Sequence, residues 1–166
     1  MVKYYWEDLI DGKIPSDCTK FNCSGHKLNE LPKLPQTLID LYCSKNNLCS
    51  LPELPQTLKY LNCYYNKLNK LPELPQTLTH LECSNNNLSN LPELPQILIE
   101  LTSHDNKLSY LPELPQTITY LSCYNNNIKY LSYENCKIIR KLFWIDLLNN
   151  PFSANFTNNK ELISSI

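Results

Sequence analysis

Cysteine is the residue type whose spacing in this sequence most suggests chemistry. Eight cysteines are present, and five of them follow one regular spacing that is interrupted once, by Ser103: Cys23, Cys43, Cys63, Cys83 and Cys123. A zinc site needs four ligands arranged as a tetrahedron, usually with cysteines paired closely in sequence, and a regularly spaced row supplies neither. We therefore expect no metal ion and no cofactor.

The same five cysteines are also poorly placed for disulfides. Adjacent strands of a sheet lie about 4.8 Å apart, whereas the two Cβ atoms of a disulfide are about 3.8 Å apart. Parallel side chains at strand spacing cannot close this gap without backbone movement. We interpret the row as inward-facing, reduced thiols that pack as small hydrophobic groups.

The three histidines give no catalytic constellation either. His26, His80 and His104 have no serine or cysteine nucleophile at a fixed neighbouring position. A pair between His80 and Glu100 is plausible, but polar pairs across strands are common on any sheet. Cys136 is the nucleophile that an assay of enzymatic activity would test, and we expect no catalysis.

These residues must be positioned by an internal repeat. The apolar residues Leu38, Leu58, Leu78, Leu98 and Ile118 recur at the same interval as the cysteines, without an insertion. The unit from Leu58 to Thr77 reads LKYLNCYYNKLNKLPELPQT, and its first half fits the leucine-rich template LxxLxL/CxxNxL. The pattern predicts a leucine-rich repeat solenoid in which each unit adds one short strand to a parallel sheet on the concave face.

Two other parts of the unit have physical roles. A buried asparagine can donate and accept hydrogen bonds to the backbone of neighbouring coils, and five units have one in the same position: Asn46, Asn66, Asn86, Asn106 and Asn126. A weaker first unit has His26 in this position. The second half, LPELPQT, contains two prolines that oppose a helix, so we expect a convex side of extended, polyproline-like backbone.

The ends of a solenoid need caps, because a terminal coil has no neighbour to cover its apolar edge. Residues 1–13 are predicted to be a helical cap, with a helix over residues 2–11, and residues 14–131 to be the repeats. Residues 132–152 form either a last, longer repeat with Asn150 in the asparagine position or a capping helix from about 134 to 148. Residues 153–166 are a polar tail in which Phe156, Leu162 and Ile163 can cover the open end.

Composition excludes several partners. The net charge is −1 and Arg140 is the one arginine, so the basic surplus that neutralises nucleic-acid phosphates is missing. No run approaches the roughly 20 apolar residues of a membrane span. Acidic residues interrupt the N-terminus where a signal peptide would be apolar. We expect a cytoplasmic protein, monomeric, with a protein partner from the host or the cell.

The repeat LPELPQTLxxLxCxxNxL resembles the shortest class of leucine-rich repeats, over residues 14 to 131. It is similar to repeats of bacterial type III effectors of the YopM and IpaH kind and to repeat proteins of giant amoebal viruses. The resemblance implies a right-handed, curved solenoid and action on host or cellular partners. The IpaH kind also carries a ubiquitin-ligase domain, and we expect no such domain in the short segment after Leu131. The cysteine position and the Asn, Lys, Ile and Tyr content favour a viral source.

The variable positions between the core residues of each strand face solvent on the concave sheet, because side chains alternate along a strand. Tyrosines contribute large, rigid contact area at protein interfaces, and this face combines them with acidic residues. The predicted partner-binding residues are Asp40, Tyr42, Tyr60, Tyr64, Tyr65, His80, Glu82, Glu100, His104, Tyr120 and Tyr124.

The function we expect is therefore a protein-interaction module that binds a partner protein on its concave sheet. One alternative is a substrate-recognition arm of a ubiquitin-ligase or regulatory assembly, acting in trans. Another is a self-assembling structural repeat protein.

Overall fold

The computed structural model describes residues 2–9, 12–154 and 157–165. These residues contain an eight-stranded parallel sheet in which every strand pairs with the next along the chain. Each repeat adds one short strand, and the strands pair in chain order. The predicted leucine-rich repeat solenoid with a parallel sheet is therefore confirmed. The strands are β1 (Lys3–Tyr5), β2 (Lys20–Asn22), β3 (Asp40–Tyr42), β4 (Tyr60–Asn62), β5 (His80–Glu82), β6 (Glu100–Thr102), β7 (Tyr120–Ser122) and β8 (Trp144–Asp146).

The register of the sheet places equivalent repeat positions side by side. Leu61 of β4 pairs with Leu41 and Leu81, and all three side chains point into the core, at most 1% exposed. The first and third residues of each strand point to the opposite face, because side chains alternate along a strand. The buried residues form one hydrophobic cluster that extends from Cys18 to Leu162. The repeat therefore separates a continuous core from a continuous outer face.

The repeated asparagines form a ladder that joins neighbouring coils, as predicted. The Oδ1 of Asn86 accepts the backbone N–H of Leu68 at 3.0 Å, and its Nδ2 donates to the carbonyls of Cys63 and Cys83, each at 3.1 Å. One side chain thus satisfies backbone groups of two successive coils. Equivalent contacts are made by Asn46, Asn66, Asn106, Asn126 and Asn150.

A second row of side chains joins the coils on the far side. The hydroxyl of Thr57 lies 2.7 Å from the carbonyl oxygen of Gln36 and 2.8 Å from that of Leu38, in the preceding coil. Equivalent bonds are made by Thr37, Thr77 and Thr117. Just after this residue, the N–H of Leu58 donates to Pro55 O in a tight turn. The convex segments of these repeats contain no helix, in agreement with their prolines.

Of the two alternatives for residues 132–152, the structure has the longer repeat. Helix α1 (Tyr133–Ile139) replaces the proline-rich segment, and β8 begins at Trp144 rather than at Arg140, where the period of the preceding repeats would place it. The side chain of Ser132 caps α1 by accepting the N–H of Asn135. The inserted residues are therefore accommodated on the convex side, away from the sheet.

A buried amide attaches α1 to the preceding coil. The Asn135 side chain, 1% exposed, accepts the N–H of Leu114 and donates to the carbonyl of Pro112, each at 2.9 Å. The helix thus uses the same kind of contact that joins the coils on the other side.

The tail covers the C-terminal end of the core. Helix α2 (Asn159–Ser165) buries Leu162 completely, and Ile163 packs against the core. The Asn159 side chain accepts the N–H of Leu147 at 3.0 Å. Phe156, which we expected to help, lies outside the described residues. No helix in the described part of the chain is long and apolar enough to cross a membrane.

The helix predicted over residues 2–11 is wrong for residues 3–5. These residues form β1, and only one turn of 3-10 helix, Trp6–Asp8, follows them. The exposed edge of β2 needs hydrogen-bond partners, and the Val2 carbonyl accepts from the N–H groups of Thr19 and Lys20. Pairing with this edge outweighs the local helical periodicity. Residues 10 and 11 lie outside the described residues.

His26 attaches this N-terminal segment to the first coil. Its Nε2 lies 2.6 Å from the Glu7 carboxylate, and its ring stands 6.3 Å from that of Trp6. The hydrogen bond to Glu7 raises the pKa of His26. The buried Nδ1 has no hydrogen-bond partner among the described residues. His26 therefore leaves one buried nitrogen unbonded at the position where the other coils have an asparagine, and it adds an ionic contact to the N-terminal segment.

The asparagine row predicts the effect of removing one amide. Asn86→Ala leaves the N–H of Leu68 without a partner, whereas the carbonyls of Cys63 and Cys83 each keep one bond, from Asn66 and Asn106. A buried group without a partner costs about 1–3 kcal/mol. We expect the free energy of unfolding to fall by about 1–3 kcal/mol. Urea denaturation measures this, and the exposed neighbour Asn87→Ala is the matched control. Equal stability of the two variants would contradict the ladder.

The contact between His26 and Glu7 predicts a pH dependence. Because the folded pKa of His26 is raised, its contribution to stability is complete below the unfolded pKa of about 6.5 and is lost as pH rises through the folded pKa. Protection of the β1 amides from hydrogen exchange should therefore decrease over this range. In His26→Asn this decrease should disappear. A decrease of the same size in the variant would rule out His26 as its source.

Candidate functional site

The outer face of the sheet is built from three rows of side chains that run across the strands. The first residue of each strand forms the first row, the third residue forms the second, and the residue two positions later forms the third. We call this surface the sheet face; it is the concave side in the solenoid that the sequence predicts. The predicted site residues in these rows are all partly exposed: Asp40, Tyr42, Tyr60, Tyr64, His80, Glu82, Glu100, His104, Tyr120 and Tyr124. Tyr65 lies beside the third row and is 59% exposed.

Aromatic rings stack across the first strands of this face. The ring of Tyr60 lies 4.9 Å from that of Tyr42 and 5.9 Å from that of His80. Tyr60 pairs in register with His80, and Tyr42 is its diagonal neighbour on the adjacent strand. Burial against its neighbours raises the pKa of Tyr60. The stack is thus a preformed aromatic surface, held in place by the sheet.

Tyr65 stands at a strained backbone position beside this stack. The residue before each ladder asparagine has a positive φ, and Tyr65 has φ 55° where later coils have Asn85, Asp105 and Asn125. A left-handed conformation costs about 1–2 kcal/mol for residues other than glycine and is easier for asparagine and aspartate. Tyrosine is therefore an unfavourable choice for folding. Tyr65 lines a groove of about 380 Å³ together with Tyr64, Lys27, Lys45, Asn46 and Asn47.

Two more aromatic pairs occupy the C-terminal half of the face. The rings of His104 and Tyr124 stack at 4.4 Å, and those of Tyr120 and Trp144 stack at 4.1 Å. Trp144 also lies on this face, although it is not among the predicted partner-binding residues. The pairing of β7 with β8 places Trp144 in the row of Tyr120. The sequence contained a signal, because Trp144 precedes Asn150 by the same interval as Tyr120 precedes Asn126. The longer last repeat obscured it, because the interval from Tyr120 to Trp144 exceeds that from Glu100 to Tyr120.

The charges of the face are distributed unevenly. At its N-terminal end Lys20 pairs with Asp40 at 3.3 Å, and it also reaches the Tyr42 hydroxyl at 3.1 Å. Further along, Glu82 accepts the Ser84 N–H and the Thr102 hydroxyl. No Lys or Arg lies within ion-pair distance of Glu82 or Glu100 in the described residues.

Asp105 is the most constrained carboxylate. Burial alone would raise its pKa, but hydrogen bonds from Asn125 and His104 hold the pKa below its usual value. The His104 Nδ1 lies 2.8 Å from the carboxylate. Asp105 therefore stays ionised and fixes the His104 ring against Tyr124. We assign it a positioning role on the face.

Comparison with known proteins shows which family the chain is related to. No protein-family model matches the sequence, and no curated protein matches it. Among solved structures, the leucine-rich repeat domain of a Shigella effector shares 31% identity with a TM-score of 0.75, and the alignment covers 90% of this chain and 77% of that one. The chain belongs to the effector leucine-rich repeat family.

YopM proteins are also similar to this leucine-rich repeat chain. YopM from Yersinia enterocolitica WA-314 shares 31% identity with a TM-score of 0.65, over 83% of this chain and 34% of that one. YopM from Yersinia pestis shares 24% identity with a TM-score of 0.60, over 85% and 52%, and shows the fold alone. The chain thus spans about a third and a half of these two proteins. The resemblance to giant-virus repeat proteins stays a prediction.

The cysteines of this leucine-rich repeat chain lie inside it. Cys23, Cys43, Cys63, Cys83 and Cys123 are 0% exposed and unpaired. Burial raises the pKa of Cys23 and of Cys123 to about 12, so these thiols stay protonated at neutral pH. Within residues 2–9, 12–154 and 157–165, no three histidine, cysteine or acidic side chains are grouped to hold a metal ion. The row acts as core packing.

The buried thiols predict a simple labelling pattern. Cys49 is exposed and Cys136 is half-buried, whereas the other cysteines are buried. Alkylation acts on the thiolate, so iodoacetamide should label Cys49 first and Cys136 more slowly in the native protein. All eight should react in denaturant. Peptide mass spectrometry reads the sites, and rapid native labelling of Cys43, Cys63 or Cys83 would contradict the inward orientation.

Proposed function

We propose that the chain is a protein-interaction module and that its sheet face binds the partner. The observation that carries the proposal is the first row of the face, in which every strand from β3 to β8 carries an aromatic or acidic side chain: Asp40, Tyr60, His80, Glu100, Tyr120 and Trp144. The family of effector leucine-rich repeats supports a role in protein interaction. The proposal is one of binding, without catalysis.

The folding of the repeats does not require these side chains. The core leucines, the asparagines and the threonines recur in nearly every unit, whereas the face positions vary from coil to coil. Position 62 is asparagine, position 102 threonine and position 122 serine, and all three coils have the same backbone. Large aromatic residues on an outer face, including Tyr65 at a left-handed position, therefore point to contact with another molecule.

The proposal includes the setting in which the module acts. Unpaired, buried cysteines fit a reducing compartment, and we propose action in the cytoplasm, of a host cell if the protein is an effector. The face lacks the basic surplus that nucleic acid requires. A monomer that presents one continuous face is the simplest arrangement consistent with this chain.

Substitution of two tyrosines tests the proposal. Tyr60→Ala with Tyr64→Ala should change thermal unfolding little, because side chains at the surface usually contribute less than about 0.5 kcal/mol. Truncation of aromatic anchors in an interface costs about 2 kcal/mol or more of binding. The double variant should therefore lose most of the partner that the unchanged protein captures from cytosol, as quantified by mass spectrometry.

A matched pair on the opposite side provides the control. Glu53→Ala with Gln56→Ala changes two exposed residues of one convex segment. This variant should capture the partner as the unchanged protein does. Loss of the partner by the convex variant and retention by the tyrosine variant would move the site off the sheet face.

A further inference from the structure

The carboxylates of the sheet face are concentrated at its C-terminal half. Across β5 to β8 the face positions contain no lysine or arginine, but they contain Glu82, Glu100 and Asp146. The donors to Glu82 are a backbone N–H and a hydroxyl, and those to Asp146 are a backbone N–H and the Asn159 amide. These donors are neutral. No lysine or arginine lies within ion-pair distance of these three carboxylates in the described part of the chain.

The aromatic pairs lie among these carboxylates. Tyr120 stacks on Trp144 with an angle of 5° between the rings, and β7 pairs Tyr120 with Glu100 on its other side. Burial, and next the charges of Glu100, Glu82 and Asp146, raise the pKa of Tyr120. The carboxylates thus act on the same ring that stacks on Trp144. We call this surface the acidic aromatic patch: Glu82, Glu100, Tyr120, Tyr124, Trp144 and Asp146.

An unsatisfied hydroxyl lies beside the patch. Ser84 occupies the third row of the face, two positions after Glu82, and is 0% exposed. Its Oγ has no hydrogen-bond partner among the described residues. A buried polar group without a partner costs about 1–3 kcal/mol. A ligand that displaces the covering side chains could supply the missing bond, so this position favours an occupied state of the face.

We propose that the acidic aromatic patch binds an extended, arginine-containing segment of a partner protein. The inference rests on the proposed function and specifies the chemistry of the partner. Guanidinium groups form charge-assisted bonds with carboxylates and stack on aromatic rings, with tryptophan the most favourable. The patch offers both kinds of contact side by side.

The dimensions fit an extended chain laid across the strands. Glu82 on β5 and Asp146 on β8 are three strand spacings apart, about 14 Å at about 4.8 Å each. An extended chain rises about 3.3 Å per residue, so arginines four positions apart span this distance. Side chains at alternate positions point to the same side of such a chain. A segment with arginine at alternate positions therefore places a cation near Glu82, near the Tyr120–Trp144 stack and near Asp146.

The aromatic rings distinguish arginine from lysine. A planar guanidinium stacks on a ring and binds a carboxylate in the same plane, whereas an ammonium is a compact, strongly hydrated charge. The segment should therefore bind more tightly with arginine than with lysine. An acidic segment should be repelled.

Peptide titration tests the proposal on the full chain. The probe is a synthetic peptide of five arginines alternating with serines, and the comparison peptides replace every arginine with lysine or with glutamate. Trp6→Phe leaves Trp144 as the one tryptophan, because the sequence has two. Its fluorescence then reports occupation of the patch, and calorimetry gives the affinity. We expect binding in the order arginine, lysine, glutamate, weakened when salt rises from about 0.05 M to about 0.5 M.

Two matched double variants locate the site. Glu82→Gln with Glu100→Gln removes two charges from the patch and retains the side-chain shape. One amide oxygen can still accept the Ser84 N–H that Glu82 accepts, and the amide nitrogen can donate to the Thr102 hydroxyl. We expect this variant to weaken binding of the arginine peptide at least about tenfold. Glu73→Gln with Glu93→Gln removes two charges from the exposed convex side. It should change the affinity by less than about twofold, as expected for screened distant charges.

Each other outcome overturns the inference. Equal weakening by the two variants would indicate diffuse attraction rather than a site, and binding of the glutamate peptide as tightly as the arginine peptide would reverse the assigned chemistry. If the arginine peptide fails to bind while Tyr60→Ala with Tyr64→Ala still loses its partner, the proposed function stands and this inference is wrong. If the tyrosine variant retains its partner as well, both are wrong.

Discussion

The hydrogen bonds of the buried asparagines are the constraint on which the rest of the molecule depends. Each amide joins two coils, so the distance along the chain from strand to asparagine must be constant. It is the same from Tyr120 to Asn126 as from Trp144 to Asn150, although the last repeat is longer. The additional residues lie in the convex segment that contains α1, where no amide of this row has to be reached. Variation in length is thus confined to one side of the solenoid.

This division of roles leaves the sheet face free to carry function. Leucines, asparagines and threonines supply the burial and the bonds between coils, and the residues between them can change without loss of register. The chain uses this freedom for aromatic stacks and for unpaired carboxylates at the C-terminal half. Strand spacing sets the stacking distances, such as 4.1 Å between Tyr120 and Trp144. The face is therefore a rigid surface whose chemistry is independent of its scaffold.

The sequence predicts those features that repeat. Five asparagines and the inward cysteines follow from the constant period, and the rows of the face follow from strand alternation. Features at the ends of the solenoid are harder to predict, because they depend on tertiary contacts. For example, β1 forms where the sequence has a helical pattern, since the edge of β2 needs hydrogen-bond partners. The threonine row escapes prediction although Thr57 and its equivalents recur, because a threonine in a turn has many possible partners. The left-handed conformation of Tyr65 is not predicted from the sequence either, since tyrosine rarely has a positive φ.

Native-state hydrogen exchange tests the asparagine row most directly. The N–H groups of Leu48, Leu68, Leu88 and Leu108 each donate to an asparagine of the next coil. If these bonds hold the coils together, the four amides should exchange only through global unfolding, at one common free energy. The amides of the exposed convex residues Glu53 and Glu73 should exchange through local opening. Exchange of the leucine amides as fast as those of Glu53 and Glu73 would contradict the account.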